Sequence, residues 1–280
     1  MNVLLNILNI ASPLLLITMG ALVSEYAGRM ALFLDGIINL GAFLCYLFVV
    51  LTGNVWAGCT LSVLSCMLLV FLLERISSTL KANLFLSSLA MNLLFTSTVS
   101  LISAAVFNTR GVLYSADFKF VSSVMKGWTS LFCYGFSILL ILILKFTVPG
   151  LKLRICGSDS DVLEAEGISS SKYKCISWLI TAFTGAFAGC TLALRLSSYV
   201  PGMAGGRGWT ALAAVFLGRK NPLIVVLSVF VFALAEFAST NLQNISFFSS
   251  IPSSILLSLP YLLALLLIIV IPQKKENGTY

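Results

Sequence analysis

LKLRICGSDSDVLEAEGISSSKYKCISWLITAFTGAFAG, residues 151–189, decides how the rest of the chain is read. Long apolar runs lie on both sides of it, and only here does the chain stay polar for more than about twenty residues. Counting Lys145 just upstream, the stretch carries Lys152, Arg154, Lys172 and Lys174, five of the 17 basic residues in all. It also holds Asp159, Asp161, Glu164 and Glu166, four of the ten acids. Ser158 and Asp161 stand in the S-x-x-D relation of a capping box, which predicts that Ser158 caps the amide of Asp161. Asp159, Asp161 and Glu164 then fall in the first turns, where the helix dipole favours anions, and Gly167 ends the helix. The pattern predicts a capped helix of about ten residues hung between two membrane spans. Such a stretch is either a solvated linker or a docking element for a soluble partner, with Leu163 and Ala165 on the side offered to it.

The remaining composition fixes the class. The 280 residues are 59% hydrophobic and 10% charged, with a mean hydropathy of +1.04, whereas a soluble domain averages about 25% charged residues. The chain is therefore expected to be all-α, one polytopic transmembrane bundle over residues 1–280, with the polar loop 151–174 inside it. The net charge of +7 marks loops on the cytoplasmic side and no nucleic-acid partner. The seven cysteines lie mostly in apolar runs, form no C-x-x-C and have no histidine beside them. They read as packing residues, and no metal site is expected. Without histidine or paired acids there is no acid–base machinery, and no phosphate-binding loop G-x-x-x-x-G-K-[ST] occurs.

Apolar runs predict eight long spans, at 3–23, 37–51, 56–73, 82–106, 128–148, 175–196, 222–240 and 255–271. Two shorter pieces, Ser24–Gly36 and Trp209–Gly218, are too short to cross about 30 Å of hydrocarbon as ordinary helices. Placing the 151–174 loop inside leaves Arg75, Lys81, Lys145, Lys152, Arg154, Lys172, Lys174, Arg219, Lys220, Lys274 and Lys275 on that side. Arg110, Lys119, Lys126, Arg195 and Arg207 lie opposite, a bias that supports the orientation. If both short pieces cross, both termini face the cytoplasm. Each short piece begins near Gly-Arg and ends at glycine, a signature either of broken helices at a midplane pathway or of packing turns. Ionisable and amide side chains within the spans, Glu236 foremost and then Asp35, Asn39 and Asn92, are pathway candidates, with Trp209 as an aromatic face near Glu236. Gly185-x-x-x-Gly189 predicts close helix packing. Gly206-x-Gly208-x-x-Ala211 mimics a dinucleotide fingerprint without the preceding strand that it needs. The spellings Asn244-Ile245-Ser246 and Asn277-Gly278-Thr279 carry no argument.

Leu153, Arg154, Gly157, Leu163, Ala165, Gly167, Ile168 and Lys174, followed by Gly185 and Gly189, resemble the polar loop of ABC importer permeases for ribose-type sugars and nucleosides, the branched-chain-type family. Ser158-Asp159-Ser160-Asp161 is more acidic than that family's usual sequence. Further matches lie in both halves of the chain. Ser24-Glu25-Tyr26-Ala27-Gly28, Leu34-Asp35-Gly36 and Leu40-Gly41-Ala42-Phe43 resemble E-R-A-G, L-E-G and L-G-A-F. Gly206-Arg207-Gly208-Trp209 through Ala214, with Leu217-Gly218-Arg219 and Asn221-Pro222, resembles G-x-G-[aromatic] and L-G-x-x-N-P. The resemblance implies a permease in the cell membrane, with Gly157, Ser158, Asp159, Asp161, Leu163, Glu164, Ala165, Gly167 and Ile168 coupling it to an ATPase. It also implies that ATP-binding subunits hold the ATP and magnesium, that this chain binds no cofactor, and that a second permease and an extracytoplasmic binding protein complete the assembly in lipid. Nucleosides lead as cargo, ahead of riboflavin and simple sugars. An ATP-independent carrier is the alternative class.

Overall fold

A computed structural model describes residues 3–115, 118, 122–242, 261, 262 and 266. The elements are α1 (Val3–Tyr26), α2 (Leu34–Thr52), α3 (Val55–Thr79), α4 (Leu84–Phe107), α5 (Ser122–Phe146), α6 (Val148–Ser158), α7 (Ser160–Ala165), α8 (Ser170–Leu196), α9 (Arg207–Leu217) and α10 (Pro222–Leu242). Among the described residues the only strand-like pairing is one antiparallel bridge, Leu113 to Tyr199. Among them, too, seven helices are long and apolar enough to span a membrane: α1 to α5, α8 and α10. The eighth expected span, 255–271, lies almost wholly outside the described residues, as do both sequon spellings.

The core is built on α1, α2 and α8. Residues Ala11–Glu25 of α1 are all buried, as expected for a helix that is apolar all round and surrounded by others. Small residues let α8 reach its neighbours at backbone distance. A Cβ on Gly189 would stand 2.8 Å from Ala42 N, one on Gly185 2.6 Å from Ile37 Cγ2, and one on Gly41 2.7 Å from Ala186 Cα. The Gly185-x-x-x-Gly189 expectation is thus met in the α2–α8 contact. The Thr181 hydroxyl donates to Gly20 O on α1 at 2.8 Å. By contrast, α3, α4, α5 and α10 leave wide apolar faces exposed, including Leu64, Leu68, Leu93, Leu101, Leu131 and Leu227, as lipid-facing helices do.

Two sequence expectations change here. Ser24–Gly36 is not a short crossing helix. Ser24–Tyr26 finish α1, residues 27–33 turn, and Leu34–Gly36 begin α2. Gly28, at φ +70, closes α1: its N–H donates to Glu25 O at 3.1 Å and that of Arg29 to Ser24 O at 3.0 Å. This is the Schellman arrangement that a left-handed glycine permits. One crossing is therefore lost from the first half. The amino end of α1, where Asn9 O accepts from Arg195 Nη1 at 2.6 Å, lies at the far end of the bundle from the Gly28–Gly157 contact, where a Cβ on Gly157 would stand 2.7 Å from Gly28 N. The expectation that both termini share the side of the polar loop fails for this end.

The second change is α6. Residues expected to begin a loop form an eleven-residue helix. Pro149 sits at its start, and the Thr147 hydroxyl accepts from Gly150 N at 3.5 Å. A capping threonine followed by proline in the first turn is a helix-start signal, and it is present in the sequence.

Candidate functional site

Two constructions stand at different depths. The first is the α6–α7 end. Arg154 Nη2 donates to Leu144 O at 2.6 Å, and its guanidinium lies 5.1 Å from the Tyr26 ring centroid. Leu153 and Cys156 are buried. At Gly157 the backbone of α6 lies against Gly28 with no room for a side chain. Asp159 then bends the chain (φ −152) and caps α7 by accepting from Asp161 N at 3.0 Å. The cap expected of Ser158 belongs to Asp159, because Ser158 is consumed as the last residue of α6, where its hydroxyl donates to Ile155 O at 3.2 Å. For the same reason α7 has six residues in place of about ten.

Gly167 ends α7 as expected, at φ +75. Its N–H donates to Glu164 O at 3.0 Å and that of Ile168 to Leu163 O at 2.9 Å. Glu164 Oε1 accepts from the Ser170 hydroxyl at 2.7 Å, which fastens α7 to α8. Leu163 is 0% exposed. It anchors α7 to its own chain, so it is not a residue offered to a partner. The surface that α7 presents is Asp161, Val162, Ala165 and Glu166, all exposed.

The second construction is a polar junction inside the bundle. Phe33 precedes α2 and supplies no side-chain cap; α4 does so instead. Leu32 N–H donates to Ser88 Oγ at 2.7 Å and Gly36 N–H to Asn92 Oδ1 at 2.6 Å. Asn92 is eight residues into α4, about 12 Å along it, so α2 begins well inside the bundle. The amino end of α9 meets it there. Gly208 N–H donates to Asp35 Oδ1 at 3.2 Å, and a Cβ on Gly208 would stand 2.8 Å from Asp35 Cα. Both helix dipoles favour the carboxylate. The neighbouring residue Arg207 donates to Met203 O at 3.2 Å and pairs with Glu236 of α10. Asp35 and Glu236 are thus joined through the Gly206–Gly208 corner.

Asn39 and Asn92 serve this scaffold. Asn39 Oδ1 accepts from the buried Tyr199 hydroxyl at 3.2 Å, and Asn92 is the α2 cap. Beside the junction, toward the end away from α7, a cavity of about 430 Å³ is lined by Asn9, Lys126, Arg195, Arg207, Thr240 and Asn241 among others. Arg195 is held by Asn9 O, Thr129 Oγ1, Ser12 Oγ and Ser130 Oγ at 2.6–3.1 Å. Trp209 does not line this cavity. It is 43% exposed, on a stripe of α9 with Ala213 and Phe216. The pairing of Trp209 with Glu236 around one space is therefore not what the structure builds: Arg207 is the partner of Glu236, and Trp209, two positions on, points about 200° around the helix from it. The cationic lining of the cavity goes beyond the sequence reading, in which Arg207 and Arg195 are loop charges.

A family model described as "branched-chain amino acid transport system / permease component" matches residues 3–272. The chain belongs to this family. Members of the family are ABC transporter permeases, so this is a multi-pass membrane transport subunit and not an enzyme. Among relatives, the nucleoside ABC transporter permease NupC of Lactococcus lactis is 25% identical, covering 94% of this chain and 90% of its own. The guanosine ABC transporter permease NupQ of Bacillus subtilis is 24% identical, covering 91% and 87%. A putative glucose ABC transporter permease of Haloferax volcanii is 25% identical, covering 84% and 76%. Among solved structures, an inward-facing putative metal-chelate type ABC transporter shares the fold, with TM-score 0.54 and 19% identity over 94% of this chain and 85% of that one.

Proposed function

We propose that this permease carries a nucleoside-like small molecule into the cell, driven by separate ATP-binding subunits that hold the ATP and magnesium. The observation that carries the proposal is the junction of the α2 and α9 amino ends at depth. Broken helices whose ends meet inside a bundle are a common way to present polar groups to a polar cargo in lipid. Carboxylates at Asp35 and Glu236 accept from hydroxyls, and the amides and cations of the adjoining cavity donate to ring acceptors. The nucleoside and guanosine relatives support this choice of cargo, and the glucose relative keeps a sugar as the second reading.

In the assembled importer the 151–174 loop faces the cytoplasm, and α7 docks on an ATPase through Val162, Ala165 and the flanking acids. A second permease and an extracytoplasmic binding protein complete the path. ATP-driven approach of the two ATPases pulls on α7. The pull passes through the Gly157–Gly28 contact to the 27–33 turn and on to the start of α2, where Asp35 meets α9. This rocks the bundle between its two accesses. Radiolabelled guanosine uptake into cells expressing the whole transporter, with adenosine, ribose and glucose as competitors, tests the cargo. Competition by nucleosides alone is expected, and competition by glucose alone overturns it. Val162→Asp tests the docking: it should lower uptake at least about tenfold while the chain inserts normally, because an unpaired charge at a closed interface costs about 2–5 kcal/mol. Unchanged uptake and co-purification of the ATPase would make α7 a linker.

A further inference from the structure

Three of the seven cysteines, scattered in sequence, meet in space. The sulfurs of Cys45 on α2, Cys59 on α3 and Cys190 on α8 all lie within 4.8 Å of one another, with Cys45 and Cys59 at 3.6 Å. Cys190 Sγ also stands 3.6 Å from the Ser62 hydroxyl, which itself donates to Gly41 O at 2.8 Å. The two 3.6 Å separations are those of a ligand set. With metal–sulfur bonds of about 2.3 Å and metal–oxygen bonds of about 2.1 Å, tetrahedral geometry places sulfurs about 3.8 Å apart and a sulfur and an oxygen about 3.6 Å apart.

The three sulfurs sit at one level. Cys45 is seven residues from the end of α2, Cys59 four from the start of α3 and Cys190 six from the end of α8, which is about 6–10 Å below the helix ends away from α7. Cys45 and Cys190 are fully buried, whereas Cys59 is half-buried. Cys59 and Cys190 open on an apolar groove of about 420 Å³ that also includes Met67, so two of the sulfurs reach the surface of the bundle. Charge selects the kind of ion. A divalent cation offsets two of the three thiolate charges and leaves a net −1, and thiolate donors favour soft or borderline metals.

We propose that Cys45, Cys59 and Cys190, with the Ser62 hydroxyl, bind one divalent d10 cation of the zinc–cadmium type, clamping α2, α3 and α8 together. On binding, the three thiols lose their protons to solvent and form metal–sulfur bonds, and the Ser62 hydroxyl coordinates through its oxygen. No electron is transferred. The full-length chain, purified in detergent with reductant and stripped with a chelator, is titrated with cadmium while thiolate-to-cadmium absorption in the near ultraviolet is followed. One saturating equivalent per chain is expected. Cys59→Ser and Cys190→Ser should each weaken binding at least tenfold, while Cys66→Ser should leave it unchanged. Retention of the signal in the Cys45→Ser/Cys59→Ser/Cys190→Ser variant, or no saturable signal in the unmodified chain, overturns the proposal. A second measurement holds even where a variant fails to fold. In native membranes cadmium should protect Cys59 of the unmodified chain from a membrane-permeant maleimide. Full labelling in the presence of cadmium overturns the site, as does a Cys45–Cys59 disulfide found by peptide mass in protein kept reduced.

Discussion

The turn at residues 27–33 and helix α9 open with the same residues and do opposite things. Both start from a left-handed glycine followed by arginine: Gly28 at φ +70 and Gly206 at φ +76. After Gly28 the chain closes a helix, because the 24 residues of α1 precede it and need their last carbonyls satisfied. After Gly206 the chain opens one, with Gly206 O accepting from Thr210 N at 3.1 Å, because only a loop precedes it. The arginines diverge in the same way. Arg29 pairs with Glu74 at 2.7 Å with side chains 8% and 2% exposed, and its guanidinium lies 5.6 Å from the Trp178 ring centroid. Arg207 pairs with Glu236 while both stay 24% exposed. One glycine-arginine pair makes a locked hub beneath α6; the other makes an open corner beside the cavity. Under the proposed mechanism the hub transmits movement and must be stiff, whereas the corner on the cargo side must rearrange.

Breaking the hub should cost most. Glu74→Gln leaves Arg29 charged and buried without its counter-charge. Removing one member of a buried pair costs about 3–5 kcal/mol, a large share of the about 5–15 kcal/mol that holds a domain folded. Thermal unfolding of the purified chain should show a sharply lower midpoint. The double variant Arg29→Met/Glu74→Leu, which removes both charges, should recover much of the loss. A single variant as stable as the parent would mean that Arg29 does not depend on Glu74, and the contrast with Arg207 would collapse.

The next effect concerns how the hub meets α6. Gly157→Val forces a branched side chain against the Tyr26–Gly28 backbone, where a Cβ already stands 2.7 Å from Gly28 N. Overpacking costs about 1–3 kcal/mol, so the chain should still fold, with α6 displaced. Uptake should fall further than stability does, while the ATPases go on hydrolysing ATP. Normal uptake at normal complex yield would show that movement does not pass through this contact.

Removing the charge at the open corner should matter less. Glu236→Gln keeps an acceptor for Arg207, and a partly exposed pair contributes about 0–1 kcal/mol. The expected result is an unfolding midpoint within a degree or two of the parent and a severalfold loss of uptake. A midpoint as low as that of Glu74→Gln would make this corner a second hub.

The spans are legible in the sequence because length and apolarity alone define them, and the α7 end at Gly167 is legible because a left-handed cap prefers glycine. Ser24–Gly36 is misleading because the groups that stabilise that turn come from afar: Glu74, Ser88 and Asn92 lie 45–56 residues away. A short apolar run with its own glycines looks like a broken helix until those partners are known. The amino cap of α7 stands one residue later than the capping-box spacing suggests because α6 extends to Ser158, from a start signal at Thr147–Pro149. Leu163 points inward because a six-residue helix needs an anchor of its own. Asp35 and Glu236 stand out from the cost of burying charge, but Arg207, the cationic partner of Glu236, is hidden by its place in a glycine-rich loop.

Trp209 should give the smallest change in stability and the sharpest test of the open corner. It is 43% exposed and shares its stripe of α9 with Ala213 and Phe216, so Trp209→Ala should shift stability by less than about 0.5 kcal/mol, as exposed substitutions do. Nearly half of the residue's surface is left uncovered beside a junction of polar groups. Under the proposed function, a flat aromatic surface at this place can stack on a nucleobase ring. Uptake, normalised to the amount of assembled complex, should therefore drop severalfold with the unfolding midpoint unchanged. Trp209→Phe, which keeps a flat ring, should retain most of it. If alanine transports as well as tryptophan, the residue is an interfacial anchor in lipid and the cargo passes on the Arg207 side of α9 alone.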